Sequence, residues 1–106
     1  MITSAFAPTG PAYLVGTSAV QVVSTSNCTT YRVRSLLTTT QYFTYAAPAA
    51  GTTPSITVTA PTAGSPSTFT VGLLPSTVEV FGGLPPNAWF KADAAGAFEI
   101  IPGEGL

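Results

Sequence analysis

Glycine and proline interrupt this chain at short intervals, and the segments between them carry no helix signal. There are 10 residues of each type among 106, and both disfavour the interior of regular elements. The intervening segments are rich in Thr, Val, Tyr and Phe, which favour strands. We therefore predict strands and no helix. The predicted strands cover residues 12–16, 19–25, 29–37, 41–46, 55–59, 68–73, 76–81, 88–92 and 97–101.

Several of these segments alternate apolar and polar side chains with the period of two that separates the faces of a strand. The alternating sets are Tyr31 and Val33 against Arg32 and Arg34, Ile56 and Val58 against Thr57 and Thr59, Phe69 and Val71 against Thr68 and Thr70, and Val78 and Val80 against Thr77 and Glu79. Short strands about 8–12 residues apart, with turn residues between them, are typical of a sandwich or barrel. The sequence predicts an all-β fold, a single small antiparallel β-sandwich.

The Pro-, Gly-, Thr- and Ala-rich stretches 47–53 and 60–66 divide the strands into two groups. Each group alone is too small to bury a core, so we interpret these stretches as long loops at the rim of one sandwich rather than as linkers. The predicted domain covers residues 12–106. Residues 1–11 are predicted to be a docking arm that orders on binding.

Charged residues make up only 7% of the chain, against about 25% in an ordinary domain. A surface with so few ions loses little hydration when a partner covers it, so the composition favours a subunit of an assembly. The net charge of −1, with Arg32, Arg34 and Lys91 as the only cations, argues against nucleic acid and anionic membranes as partners. We expect neither a membrane span nor a secretory leader, and we expect synthesis in a cytoplasm.

The residue types needed for catalysis are missing or scattered. The chain has no histidine, which removes Ser-His, Cys-His and imidazole-metal arrangements. The lone Cys28 is expected to be a small buried or half-buried thiol. The acids are Glu79, Asp93, Glu99 and Glu104. A glycosidase pair of Glu79 and Glu99 is the one catalytic alternative, but both are expected opposite the apolar face, where solvent or a partner explains them. We predict no enzyme, no metal site and no cofactor.

Residues 81–91 hold the densest information, because Phe81, Trp89 and Phe90 lie among turn residues there. On a strand, Trp89 and Phe90 point to opposite faces. We expect Ala88, Phe90 and Ala92 on the inner face and Trp89, Lys91 and Asp93 on the outer face. Trp89 then has three open interpretations: an interface anchor, a second core residue reached through a bulge or covered by a loop, or a platform for a sugar ring.

Arg32 and Arg34 share one strand face and are predicted to pair with Glu79 or Glu99, across a sheet or across a subunit boundary. Exposed pairs stabilise by about 0–1 kcal/mol, whereas buried interface pairs mainly fix register and partner choice. The candidate interface residues are Arg32, Arg34, Phe81, Trp89, Lys91 and Glu99.

The last third of the chain resembles a known family. Its residues Ser76-Thr77-Val78-Glu79-Val80-Phe81, Leu84-Pro85-Pro86-Asn87-Ala88-Trp89-Phe90, Phe98-Glu99-Ile100 and Pro102-Gly103-Glu104-Gly105 are similar to the C-terminal part of small virion proteins of tailed bacteriophages. The resemblance implies a capsid decoration (cement) protein with a jelly-roll-like or immunoglobulin-like sandwich. It also implies a homo-oligomer, with a trimer favoured, on the outer capsid surface and in contact with the major capsid protein. A head fibre or tail component fits the resemblance as well.

The sequence therefore predicts a structural virion protein that is made in the host cytoplasm, oligomerises and stabilises the phage head by bridging capsid subunits. The alternative is a binding module of a fibre or adhesin that recognises a carbohydrate or a receptor. Because histidine is absent, attachment is expected to depend little on pH between about 5 and 8.

Overall fold

A computed structural model describes residues 6–25, 27–48, 52–64 and 70–104. Within these ranges the chain forms strands and no helix. The described residues therefore contain no helix that could cross a membrane. The strands are β1 (Ala7–Pro8), β2 (Tyr13–Val15), β3 (Val20–Gln21), β4 (Thr30–Ser35), β5 (Gln41–Ala46), β6 (Val71–Leu73), β7 (Val78–Phe81), β8 (Trp89–Ala92) and β9 (Phe98–Glu104).

The strands form two antiparallel sheets. Sheet A has the order β1-β9-β4-β7, and β2 also pairs with β9. Sheet B has the order β3-β8-β5-β6. The chain changes sheets at most of its connections, and the inner faces of the two sheets enclose one core. The prediction of a small all-β sandwich is confirmed.

Aromatic side chains from both sheets fill the centre. The ring of Phe43, in sheet B, lies edge-on to Phe98 and Phe81 of sheet A, with centroids 5.1 and 5.7 Å away. Tyr31 of sheet A meets Phe90 of sheet B in the same way at 5.1 Å. Each such buried side chain contributes about 1.5–3 kcal/mol of transfer free energy, and edge-to-face contacts add to it. The core holds the two sheets together.

Most predicted strands are present, although several are shorter than expected, and β5 has the predicted bounds. The strand predicted over 55–59 is wrong, because those residues pair with no described strand. Their alternation still predicts burial: Ile56 is buried and Val58 half-buried, whereas Thr57 and Thr59 are exposed. The predicted positions 68 and 69 lie outside the described residues.

The described part of the predicted docking arm is hydrogen-bonded to the sandwich. Strand β1 pairs with the end of β9, and the Thr9 N–H donates to the Pro102 carbonyl at 2.9 Å. The Thr9 hydroxyl lies 2.9 Å from the Ser24 hydroxyl and donates to the Cys28 sulfur at 3.3 Å. The Cys28 side chain is buried, in agreement with the prediction of a small buried or half-buried thiol. Residues 1–5 lie outside the described ranges, and their docking stays a prediction.

Candidate functional site

The outer face of sheet A brings together three of the predicted interface residues. Partners in an antiparallel ladder point to the same side of a sheet. The register places Arg34 between Glu99 and Val78, and Arg32 between Ile101 and Val80. The "sheet A outer face" consists of Leu14, Arg32, Arg34, Val78, Val80, Glu99 and Ile101.

This face is largely apolar and partly open to solvent. Leu14 is 64% exposed and Val78 is 41% exposed, while Val80 and Ile101 are half-buried. Isolated exposed apolar side chains are ordinary, but a set of them on one flat sheet face is typical of a contact surface.

One predicted ion pair lies at the centre of the sheet A outer face. The Arg34 Nε atom is 3.6 Å from the Glu99 Oε1 atom, and their side chains are 45% and 34% exposed. The predicted pairing with Glu99 is therefore confirmed for Arg34. At this exposure the pair stabilises the isolated chain by at most about 1 kcal/mol. Arg32 has no acidic partner among the described residues.

Strand β7 corrects one expectation about faces. Phe81 lies opposite Tyr31, and Glu79 lies opposite Val33, so both point to the inner side, whereas Val78 and Val80 point outwards. The physical reason is that strand alternation is rigid: seating the large Phe81 ring against the core forces Glu79 inwards and both valines outwards. The prediction that Glu79 lies away from the inner face is wrong. The predicted interface residue Phe81 packs against Phe43.

The outer face of sheet B holds Trp89 and Lys91. Phe90 and its inner-face neighbours are buried, Trp89 and Lys91 are half-buried, and Asp93 is exposed, which confirms the predicted alternation. The Lys91 ammonium donates to the Ile56 carbonyl at 2.9 Å. The segment around Ile56 therefore lies against this face at Lys91.

A network of polar contacts fixes the loop before Trp89. The Tyr31 hydroxyl donates to the Pro85 carbonyl at 2.6 Å and accepts from the Ala88 N–H at 3.1 Å. Asn87 has a φ of 53°, a conformation that asparagine tolerates better than most residues. Its side-chain oxygen accepts from the Ser24 N–H at 2.9 Å. Burial raises the pKa of Tyr31, and the hydrogen bonds from the backbone of Ala88 and Asn87 oppose that shift.

A groove that the sequence did not predict opens between the edge strands of the two sheets. Strands β6 and β7 are joined by the short link 74–77 and lie on the same side of the sandwich. The groove has a volume of about 330 Å³ and is lined by Val71, Gly72, Leu73, Leu74, Thr77, Glu79 and Phe81. Glu79 is the only charged side chain among those lining residues.

The described residues contain no cluster of three or more His, Cys, Asp or Glu side chains that would hold a metal ion. The candidate contact surfaces among the described residues are the sheet A outer face, the part of the sheet B outer face around Trp89, and the groove. In comparisons with known proteins, no protein-family model, curated protein or solved structure matches the chain.

Proposed function

We propose that this protein is a structural subunit that associates through the sheet A outer face, and that it serves as a capsid decoration protein of a tailed bacteriophage. The observation that carries the proposal is the group of outward-facing apolar side chains Leu14, Val78, Val80 and Ile101 on that face. The virion setting comes from the family resemblance of the last third of the sequence.

The charges of this face bear on which partner it selects. Covering it removes three charged side chains from water, Arg32 and the paired Arg34 and Glu99. Contact with a partner would remove water from that pair, and the cost of desolvation would offset the stronger Coulomb attraction, so the pair would mainly fix register and partner choice. Arg32, without an acidic partner among the described residues, then favours a carboxylate on the neighbouring subunit.

Assembly multiplies the effect of one modest contact. A symmetric oligomer presents several copies of the same surface to a symmetric shell, and linked binding raises the overall affinity without new contacts. A low surface charge also limits the repulsion between identical subunits that symmetry brings together. Both effects suit a protein that bridges major capsid protein subunits on the outer surface of a head.

The test is co-sedimentation of the full chain with empty shells assembled from the major capsid protein of the same virus. Leu14→Lys introduces a charge into the sheet A outer face at an exposed position. Thr57→Lys introduces the same charge at an exposed position outside that face. We expect Leu14→Lys to weaken shell binding at least tenfold and Thr57→Lys to leave it unchanged. Equal binding by both variants would contradict the proposal.

Trp89 favours the second candidate, a carbohydrate- or receptor-binding module of a fibre or adhesin. The ring is half-buried on the outer face of sheet B, opposite Gln21 in the ladder and on the same face as Lys91 and Asp93. Because the chain has a single tryptophan, its fluorescence reports directly on this face. A saturable shift on titration with monosaccharides or oligosaccharides supports the binding module, and an unchanged spectrum argues against it.

A further inference from the structure

Strand β7 is an edge strand with a row of unused backbone groups. The Ser35 N–H donates to the Thr77 carbonyl at 2.9 Å, which identifies Thr77, Glu79 and Phe81 as the positions whose backbone groups point towards β4. In an antiparallel ladder the intervening residues point theirs the other way. The N–H and C=O groups of Val78 and Val80 therefore point to the open edge of sheet A, where no described strand pairs with them.

The side chains beside this edge define what an added strand would carry. The groove between β6 and β7 is lined by apolar groups, chiefly Val71, Leu73, Leu74 and Phe81. A strand paired with β7 would direct every second side chain to the groove side, next to Phe81, Glu79 and Thr77. Apolar side chains suit both ends of such a strand.

Glu79 determines which side chain suits the middle of an added strand. This carboxylate is exposed, lies on the groove side and has no cationic partner among the described residues. An inward-pointing charge on an edge strand also discourages pairing between two copies of that edge, because the register that pairs Val78 with Val80 of a second copy would place two Glu79 carboxylates opposite each other. A lysine or arginine opposite Glu79 would instead be attracted.

A second copy of this chain is a poor source of that cation. Its three cations are Arg32, Arg34 and Lys91. Both arginines lie on β4 in the interior of sheet A, and Lys91 is bonded to the Ile56 carbonyl. The occupant is therefore a segment of a different polypeptide.

We propose that the edge of β7 and the adjoining groove bind an extended segment of a partner protein by strand addition, with a Lys or Arg opposite Glu79 and apolar side chains two residues to either side. Backbone hydrogen bonds to Val78 and Val80 provide affinity, and the groove and Glu79 provide specificity. The inference rests on the proposed function and deepens it by naming the chemistry of a partner. It uses the outward backbone groups of Val78 and Val80 and the groove, whereas the sheet A outer face uses the side chains of these valines and of Leu14.

The probe is the blocked peptide acetyl-Gly-Val-Thr-Lys-Thr-Leu-Gly-amide, titrated into the isotopically labelled full chain and followed by NMR of the backbone amides. We expect saturable shifts at Val78 and Val80. Replacing the peptide lysine with glutamate should weaken binding about threefold to tenfold, from the difference between opposite and like charges in a cross-strand pair. Methylating both threonine nitrogens should abolish binding, because their N–H donors are lost.

Protein variants separate strand addition from other modes of binding. Val80→Pro removes the outward N–H without breaking a bond to β4, at an edge position where proline is tolerated, and should abolish binding. The matched Val80→Thr variant keeps the N–H and should bind. Glu79→Lys should reverse the preference, so that the glutamate peptide binds more tightly than the lysine peptide.

Absence of binding to the wild type, shifts confined to the Trp89 face, or an unchanged lysine preference in Glu79→Lys would each overturn the inference. The Leu14→Lys variant should bind the peptide like the wild type. Loss of shell binding by Leu14→Lys with retained peptide binding would show that the shell contacts the sheet A outer face and that the β7 edge is intact. Shell binding by the wild type without peptide binding would overturn the inference and leave the proposed function standing.

Discussion

The Tyr31 hydroxyl is the most consequential polar group in the core, and Tyr31→Phe tests its role. The substitution keeps the ring against Phe90 but removes the hydrogen bonds to the Pro85 carbonyl and the Ala88 N–H. Ala88 is fully buried, so its N–H would be left without a partner, at a cost of about 1–3 kcal/mol. Pro85 is half-buried and its carbonyl can reach water. We expect the free energy of unfolding to fall by about 2 kcal/mol.

Thermal and urea unfolding of the variant measure this loss. For a domain of this size, 2 kcal/mol lowers Tm by about 8–16 °C. The control is Tyr42→Phe, since the half-buried Tyr42 hydroxyl has no hydrogen bond to the other described residues, and this change should stay within about 0.5 kcal/mol. Equal stabilities of the two variants would refute the role assigned to Tyr31.

The pH dependence gives a second, independent measurement on the same group. Burial raises the pKa of Tyr31 in the folded chain, so folding favours the neutral phenol. The resulting stability is fully present below the ordinary tyrosine pKa of about 10 and is lost as the pH rises through the folded-state pKa. The stability of the wild type should therefore fall more steeply above pH 10 than that of Tyr31→Phe. Parallel pH profiles would contradict this assignment.

Three further predictions concern packing, buried polarity and attachment. Ser35→Ala removes a buried hydroxyl that has no hydrogen-bond partner among the described residues, and it should leave stability unchanged or raise it by up to about 1 kcal/mol. Ser24→Ala breaks the contact with the Thr9 hydroxyl and should lower stability. Urea unfolding of both variants distinguishes them. Gly103→Ala places a Cβ against the Phe6 ring and 2.5 Å from the Ala7 carbonyl oxygen, which should cost about 1–3 kcal/mol, measured by thermal unfolding. Shell attachment should vary little between about pH 5 and 8 because the chain has no histidine. Sharp release near pH 6 in a retention assay would contradict that expectation.

The sequence predicted strand positions well where alternation and bulky residues agree. Strand β4 follows its pattern, because Tyr31 and Val33 are buried while Arg32 and Arg34 face outwards. The inner and outer faces of β8 were also predictable, since Phe90 and the small residues around it suit a core position. In both strands the local pattern and the tertiary packing favour the same face.

Strand β7 shows why local pattern was insufficient. Val78 and Val80 form the more regular apolar pair, but Phe81 has the larger ring, and its place against Phe43 determines the parity of the whole strand. Whether Phe81 or the two valines face the core depends on the residues of the opposite sheet, and no short stretch of the sequence contains that information. The groove beside β7 was missed for the same reason, because its lining comes from two sheets.

Segment 55–59 and strand β1 show two other limits of prediction from the sequence. Ile56 is buried because its segment lies against the outer face of sheet B, tied there by Lys91, so an alternating pattern arose without a ladder. Strand β1 is only Ala7–Pro8, too short to produce a pattern. Strand order is non-local as well, since β9 is the last strand in the chain and a central one in its sheet.

Sedimentation velocity of the purified full chain, over a wide concentration range and beside the Leu14→Lys variant, tests most directly whether this protein associates with other subunits. We predict a discrete oligomer, with three subunits favoured, for both chains, because the sheet A outer face that Leu14→Lys changes contacts the shell rather than another subunit of the oligomer. A wild-type chain that stays monomeric and monodisperse at high concentration, and that binds no shell, would contradict it.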